Sequence, residues 1–365
     1  MQEIDNKLTS LRYLMEEAEV DSLLLQRTSS FSWATCGADP HINTAASEGG
    51  AALLITHDHR YLLTDNIEAS RLQNEENLDE QGWSFQVLPW YETGNKVREL
   101  TAGKKLGTDG LYPEGKDLSV ELAWLRAQLS RFETERFKVL GELCAKSMKD
   151  AAYSIQPGMT EYKIAGVLSQ AAESRGVQAV VNLIGTDERI FRYRHPLPTD
   201  KKLDRYAMLI LCGRKWGLIC SISRLVYFGE IPEEIRIKSM AVAEIDARMI
   251  SNTRPGKNIA DVFSCAQEAY SDCGYPDEWK KHHQGGLAGY EPREVVAAPG
   301  INKPVRVHQT YAWNPSITGS KSEDTILVSQ RSNEILTTIP GWPSIDVSVN
   351  GGVLTRPDIL VRQQG

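Results

Sequence analysis

No run of apolar residues in this 365-residue chain is long enough to span a bilayer. The first residues, MQEIDNKLTSLRYLMEEAEVDSLLL, also lack the basic-then-apolar order of a secretory leader. There is no CxxC pair. The six cysteines, Cys36, Cys144, Cys212, Cys220, Cys265 and Cys273, are scattered, which excludes a zinc knot and favours reduced thiols over a disulfide frame. Positive charge is not in excess: a net charge of -7 leaves no electrostatic footprint for nucleic acid. Low-complexity tracts are missing as well. What is present is ordinary, 41% hydrophobic and 24% charged residues, so a proper core is expected. The length exceeds one typical domain, and two are expected in a soluble, cytoplasmic protein.

Apolar residues at Leu8, Leu11, Leu14, Met15 and Ala18 recur at helical spacing. Short apolar runs at 20–25, 51–56, 60–64, 84–88 and 105–108 read as strands, and 118–129 as a helix. Together they give a small α/β domain over residues 1–131. His57-Asp58-His59 fits a polar hairpin turn between two of those runs better than a metal pair. From residue 132 to 365 the order changes. Helices at 136–156 and 160–174 precede a strand at 177–184, a polar loop at 185–202, and three short strands at 208–211, 218–221 and 225–228. Helices at 233–250 and 259–273 and β segments at 305–307, 310–313, 326–328 and 334–337 follow. Pro157-Gly158-Met159 and Pro255-Gly256-Lys257 fall at matching places, so the second domain reads as an internal duplication of a helix pair followed by β-hairpins.

The densest chemistry lies in His282–Glu294, HHQGGLAGYEPRE, which combines adjacent histidines, three glycines, two glutamates and an arginine. Histidine is the side chain most easily poised near neutral pH, and glycine lets backbone approach other groups. With FRYRHPLPTDKKL at 191–203, the run 211–229 and AWNPSITGSKSEDTILV at 312–328, this stretch resembles the pita-bread superfamily of aminopeptidase P, prolidase, methionine aminopeptidase and creatinase. The resemblance covers nearly the whole chain. It implies a creatinase/prolidase N-terminal-like α/β domain followed by an α+β pita-bread catalytic domain, and a homodimer.

Peptidases of that superfamily bind a pair of divalent metals. Carried over residue by residue, the ligand positions fall on Leu211, Ser221, His283, Asn314 and Glu323, so two ligand types of five remain. The second histidine of the family's HGxGxxxHE motif falls on Tyr290, before Glu291, and the substrate-contacting histidine on His195. A bridged two-metal site needs several carboxylates, whereas leucine supplies no ligand and serine and asparagine are weak neutral ones. The expectation is therefore no dinuclear centre and no cofactor. The remaining metal option is a single ion, such as Mn or Zn, on His282, His283 and Glu323. Adjacent histidines on a regular strand would point to opposite faces and oppose it.

Creatinase, a member that hydrolyses a C–N bond without metal, supplies the functional model. By that resemblance His195 is the general acid/base, His283 a second acid/base or amide-polarising donor, and Glu323 holds a cationic group or orients a histidine. Arg192, Arg194, Arg224 and Arg293 are candidates for a substrate carboxylate, with His282, Tyr290, Glu291 and Asn314 as further substrate contacts; Arg224 fits an interior ion pair equally well. Cys220 or Ser221 as nucleophile lacks a GxSxG elbow. The expected activity is hydrolysis of an amide, amidine or peptide-like bond in a small zwitterionic molecule or short peptide. The alternatives are a metallopeptidase with atypical ligands, a non-hydrolytic enzyme, and a catalytically inactive binding protein.

Overall fold

The computed structural model describes residues 2–92 and 95–363. Its contacts separate two units, Met1–Glu133 with Trp216–Leu218, and Thr134–Lys215 with Ile219–Gly365.

The first unit is built on a six-stranded sheet. In chain order its elements are α1 (Gln2–Glu17), β1 (Ser22–Arg27), α2 (Thr28–Ala34), β2 (Glu48–Thr56), β3 (Arg60–Asp65), α3 (Ala69–Asn74), β4 (Ser84–Leu88), α4 (Asn95–Leu100), β5 (Leu106–Thr108), β6 (Lys116–Asp117) and α5 (Ser119–Arg126). The sheet order is β4-β3-β2-β1-β5-β6. Helical spacing in α1 buries Ile4, Leu8, Leu11 and Met15. His57-Asp58-His59 forms the turn of the antiparallel β2–β3 hairpin, closed by Thr56 N–H donating to the His59 carbonyl at 2.9 Å.

In the second unit, α6 (Arg131–Ser154), α7 (Glu161–Glu173), β7 (Gln178–Thr186), α8 (Glu188–Arg192), β8 (Tyr206–Lys215) and β9 (Leu218–Phe228) form the first half. The second half is α9 (Glu233–Asn252), α10 (Ile259–Asp272), β10 (Gly285–Ala288), β11 (Val295–Val296), β12 (Thr310–Trp313), β13 (Ser316–Ile317), β14 (Ser320–Lys321), β15 (Asp324–Val328) and β16 (Asn333–Ile335). A tail of β17 (Ser344–Val349), β18 (Gly352–Pro357) and β19 (Leu360–Arg362) follows. The sheets run β19-β9-β8-β7 and β11-β10-β12-β15-β16.

The two halves repeat their turn geometry. Gly158 N–H donates to the Leu203 carbonyl at 2.8 Å and Leu203 N–H returns to Met159 at 2.8 Å; Gly256 N–H donates to Val305 at 2.9 Å and Val305 N–H returns to Lys257 at 2.8 Å. Both glycines have positive φ, +85° and +89°, which an L side chain rarely adopts. Two expectations change here. The segment 305–307 is not a strand but the partner of this turn. The three short strands at 208–228 are two long ones joined at Trp216 and Gly217, whose φ values of +53° and +73° suit a two-residue hairpin turn. Polar Ser221, Ser223 and Arg224 interrupt the apolar pattern of β9 without ending the strand.

Candidate functional site

β9 and β15 meet where Ser223 N–H donates to the Glu323 carbonyl at 3.2 Å, and where Ser221 N–H donates to Thr325 Oγ1 at 2.9 Å. This buries the Glu323 carboxylate, with the residue 2% exposed. Its Oε1 accepts from Arg293 Nη2 at 3.0 Å; its Oε2 accepts from the Ser223 hydroxyl and lies 3.3 Å from Lys321 Nζ. Arg293 Nη1 donates to Ser221 Oγ at 3.1 Å and to the Pro292 carbonyl at 2.6 Å. One guanidinium therefore bridges Ser221 and Glu323. Burial alone would raise the Glu323 carboxyl, but Lys321 and Arg293, with the Ser223 hydroxyl, hold it down at about 2. Lys321 and Ser223 were missed in sequence. The available signal was the i, i+2 spacing of Lys321 and Glu323, which suits one face of an extended segment.

The second feature is a histidine cluster. His195 Nε2 and His282 Nε2 lie 2.9 Å apart, and the His282 and His283 rings stack at 4.3 Å. The expectation that adjacent histidines diverge fails because both precede β10 instead of lying in it. Gly285 N–H donates to His283 Nδ1 at 3.2 Å, so the neutral ring carries its proton on Nε2. His282 Nδ1 is buried without a partner. A bare lone pair is cheaper to bury than a stranded N–H, so His282 donates through Nε2 to His195. Burial, then the Lys321 charge, lowers His282 to about 2; burial, then Arg293 and Lys321, lowers His283 to about 4. His195 is lowered by burial and Lys321. All three rings are neutral at pH 7, even though His195 and His283 keep solvent-exposed edges.

Other candidate residues have different employment. Arg224 does not face a substrate: it is 3% exposed, with Nη2 on Asp324 Oδ1 at 2.8 Å and on the Thr337 carbonyl at 3.0 Å. Arg194 is committed to Glu278 and to Thr318 Oγ1. Arg192 is exposed at the end of α8, and Glu291 is partly exposed. Tyr290 is buried, with its N–H on Glu294 Oε1 at 2.9 Å. Asn314 is 3% exposed and its Oδ1 has no partner. Ser221 Oγ contacts Arg293 and, at 3.2 Å, Cys212 Sγ; no histidine bonds it, so nothing activates it as a nucleophile. The glycines let backbone strands approach one another. A Cβ on Gly285 would sit 2.1 Å from the Ala312 carbonyl oxygen, and one on Gly286 2.1 Å from that of Val295, so they let β10 fit between β12 and β11.

The model of metallopeptidase family M24 matches residues 135–336, more than half of the chain. The chain belongs to metallopeptidase family M24. The creatinase/prolidase N-terminal domain model matches residues 7–143. An uncharacterized peptidase of Staphylococcus haemolyticus is 26% identical over 234 residues, covering 60% of this chain and 65% of that protein. The chain thus matches less than two thirds of that relative's length. The prolidase of Pyrococcus horikoshii OT3 superposes with a TM-score of 0.78 at 19% identity, covering 92% of this chain and 98% of that one. The Xaa-Pro dipeptidase of Bacillus anthracis gives 0.77 at 18% identity, covering 98% and 100%. The expected architecture, a creatinase/prolidase N-terminal α/β domain followed by an α+β pita-bread catalytic domain, is the fold of this M24 chain.

The residues that the resemblance places at the family's ligand positions do not fit a metal pair. Leu211 has no donor. Ser221 receives a cationic donor, and both Glu323 oxygens are occupied by Arg293, Lys321 and Ser223. Two fixed positive charges against the last carboxylate repel a divalent ion. His195, His282 and His283 offer nitrogens within 4.8 Å of one another, but Glu323 is outside that cluster. One pair of nitrogens already shares a hydrogen, and the His283 tautomer has no lone pair on Nε2.

Proposed function

We propose that this chain is a hydrolase of C–N bonds, acting on an amide, amidine or peptide-like bond of a small zwitterionic substrate without a dinuclear metal centre. The observation that carries this is the Arg293 guanidinium joining Ser221 to Glu323 beside a partly open cluster of neutral imidazoles. His195 is the general acid/base. A water inserted between the His195 and His282 rings meets a donor on His282 Nε2 and an acceptor on His195 Nε2, the pair needed to orient it and take its proton. Attack forms a C–O bond at the carbon. His195 then passes the proton to the leaving nitrogen as the C–N bond breaks. Rotation of the exposed His195 ring opens the gap.

The test is turnover of Xaa-Pro dipeptides and small C–N substrates after exhaustive chelation, with elemental analysis of the same sample. Activity is expected to survive chelation, and His195→Ala to lower kcat by about 100-fold or more. A variant as active as wild type would remove His195 from the mechanism. A second reading, an Xaa-Pro-type peptidase with atypical ligands, is favoured by the three convergent histidine nitrogens. One tightly held Mn, Co or Zn per chain, with activity lost on chelation, would select it. A homodimer is proposed on the family resemblance, to be read by light scattering.

A further inference from the structure

The contact between His195 and His282, with their Nε2 atoms 2.9 Å apart, does not hold itself together. A hydrogen bond between two neutral imidazoles nets no more than fixing the backbone of one residue costs. His195 is exposed on the loop 193–203, so its ring alone does not order that loop. His282 is better secured. The buried Gln284 amide donates to the Trp279 carbonyl at 3.1 Å and to the His282 carbonyl at 2.5 Å, and its oxygen accepts from the Tyr270 hydroxyl at 2.7 Å. With the backbone at His282 fixed, the spacing of the pair depends on what holds the His195 loop.

That loop is tied one residue before His195. Arg194 Nη2 donates to the Glu278 carboxylate and, at 3.1 Å, to Thr318 Oγ1. Glu278 opens a short helical turn, Glu278–Lys281, that leads directly into His282. Its carboxylate also accepts from the Thr318 N–H at 2.9 Å, from the Thr318 hydroxyl at 3.0 Å and from Lys281 Nζ at 2.7 Å. One carboxylate therefore joins the His195 loop, the lead-in to His282, and the turn between β13 and β14. Its side chain is 13% exposed. Burial alone would raise this carboxyl, but Lys281, Thr318 and Arg194 hold it down at about 2, so its bond to Arg194 is charge-assisted and stronger than the imidazole contact. Beyond His195 the loop is anchored again, with the Thr199 N–H on Glu161 at 3.0 Å and Arg189 on the Leu197 carbonyl at 2.8 Å.

Resting on the hydrolase reading above, we propose that Glu278, acting through Arg194, is the positioning residue of the histidine pair. It fastens the loop that carries His195 to the segment that carries His282 and so sets the distance between the two rings. The tether grips the residue before His195 and leaves the His195 side chain unbound except to His282. The backbone is thereby held while the ring stays free to turn and admit water, which is the motion the reaction needs.

The test uses the full-length protein with 15N-labelled histidine. At pH 7 the wild type is expected to show a ring N–H signal from His282 Nε2, protected because that hydrogen is donated to His195. Arg194→Gln cuts the tether and leaves Glu278 bonded to Thr318 and Lys281, so the fold is retained, and its His282 N–H should exchange with solvent at least about tenfold faster. Glu278→Gln should do the same, and the double variant should be no worse than either single one, because the two residues act as a unit. Lys281→Gln removes an exposed cation from the same carboxylate and should leave the exchange rate within about twofold. On any dipeptide that the wild type turns over, Arg194→Gln should lower kcat about tenfold with KM within about twofold. Exchange unchanged in both single variants, or no protected ring N–H in the wild type, would overturn the proposal. So would a rise in KM at unchanged kcat, which would put Arg194 on the substrate. Faster exchange in a protein that turns over nothing would leave the positioning role standing and remove the hydrolase reading; turnover with unchanged exchange would do the reverse.

Discussion

Glu323 and Asp324 are neighbours on the chain with opposite duties. The first faces Arg293 and Lys321; the second lies between Arg224 and Arg356, with Arg356 also reaching Asp246 at 2.6 Å. Removing one member of a fully buried charge network strands the others. Asp324→Asn is expected to cost about 3–5 kcal/mol, measurable by urea unfolding. A loss under 1 kcal/mol would mean the network carries little stability. A second expectation concerns pH. His282 and His283 bind protons less tightly in the fold than their usual 6.5, so below about 6.5 the unfolded chain holds more protons and stability falls as pH drops, down to about 4 for His283 and about 2 for His282. Glu323, lowered from 4.5 to about 2, adds to the loss at the acid end of that window. Melting temperature measured from pH 7 to 4 should decline, and His282→Gln should flatten the decline. An unchanged slope would mean His282 does not titrate as described. At this scale the sequence pattern named Ser221, Arg293 and Glu323 as candidates, but not that one guanidinium joins the other two. Arg293 lies far along the chain from Ser221, and only the fold shows that it reaches across.

Among the elements, the two Pro-Gly turns were legible because a helix stop followed by a new helix start leaves a strong local signature. The β8–β9 hairpin was not. Its polar residues look like strand breaks until their partners on β15 are known. The terminal strands β17, β18 and β19 went unread. Their burial alternates weakly, and β19 is positioned by parallel pairing with β9, more than 130 residues earlier in the chain. For β10 the glycines serve packing first. Gly286→Ala, at φ +156° with a backbone oxygen 2.1 Å from the new Cβ, should lower stability by about 2–4 kcal/mol. Thermal melts can check this, and a neutral outcome would show that β11 yields easily.

For the molecule as a whole, the fold was readable from the spaced motifs at 191–203, 211–229, 282–294 and 312–328. No helix among the described residues is long and apolar enough to cross a membrane. An ion that binds only the native state raises the melting temperature in proportion to the logarithm of its concentration. Millimolar Mn2+, Co2+ or a chelator is therefore expected to leave the melting temperature within about 1 °C, read by scanning calorimetry. A rise that grows with Mn2+ concentration would contradict the charge arrangement around Glu323.

A cation tethered by the polypeptide has no dissociation constant. The Arg293–Glu323 contact, 3.0 Å long, forms within one chain, so dilution does not empty it. Under the metal-free reading proposed above, neither a wrong ion nor a shortage of the right one would bear on that contact. Its positive charge is inherited with the gene, so only mutation, not scarcity, can empty the place it fills.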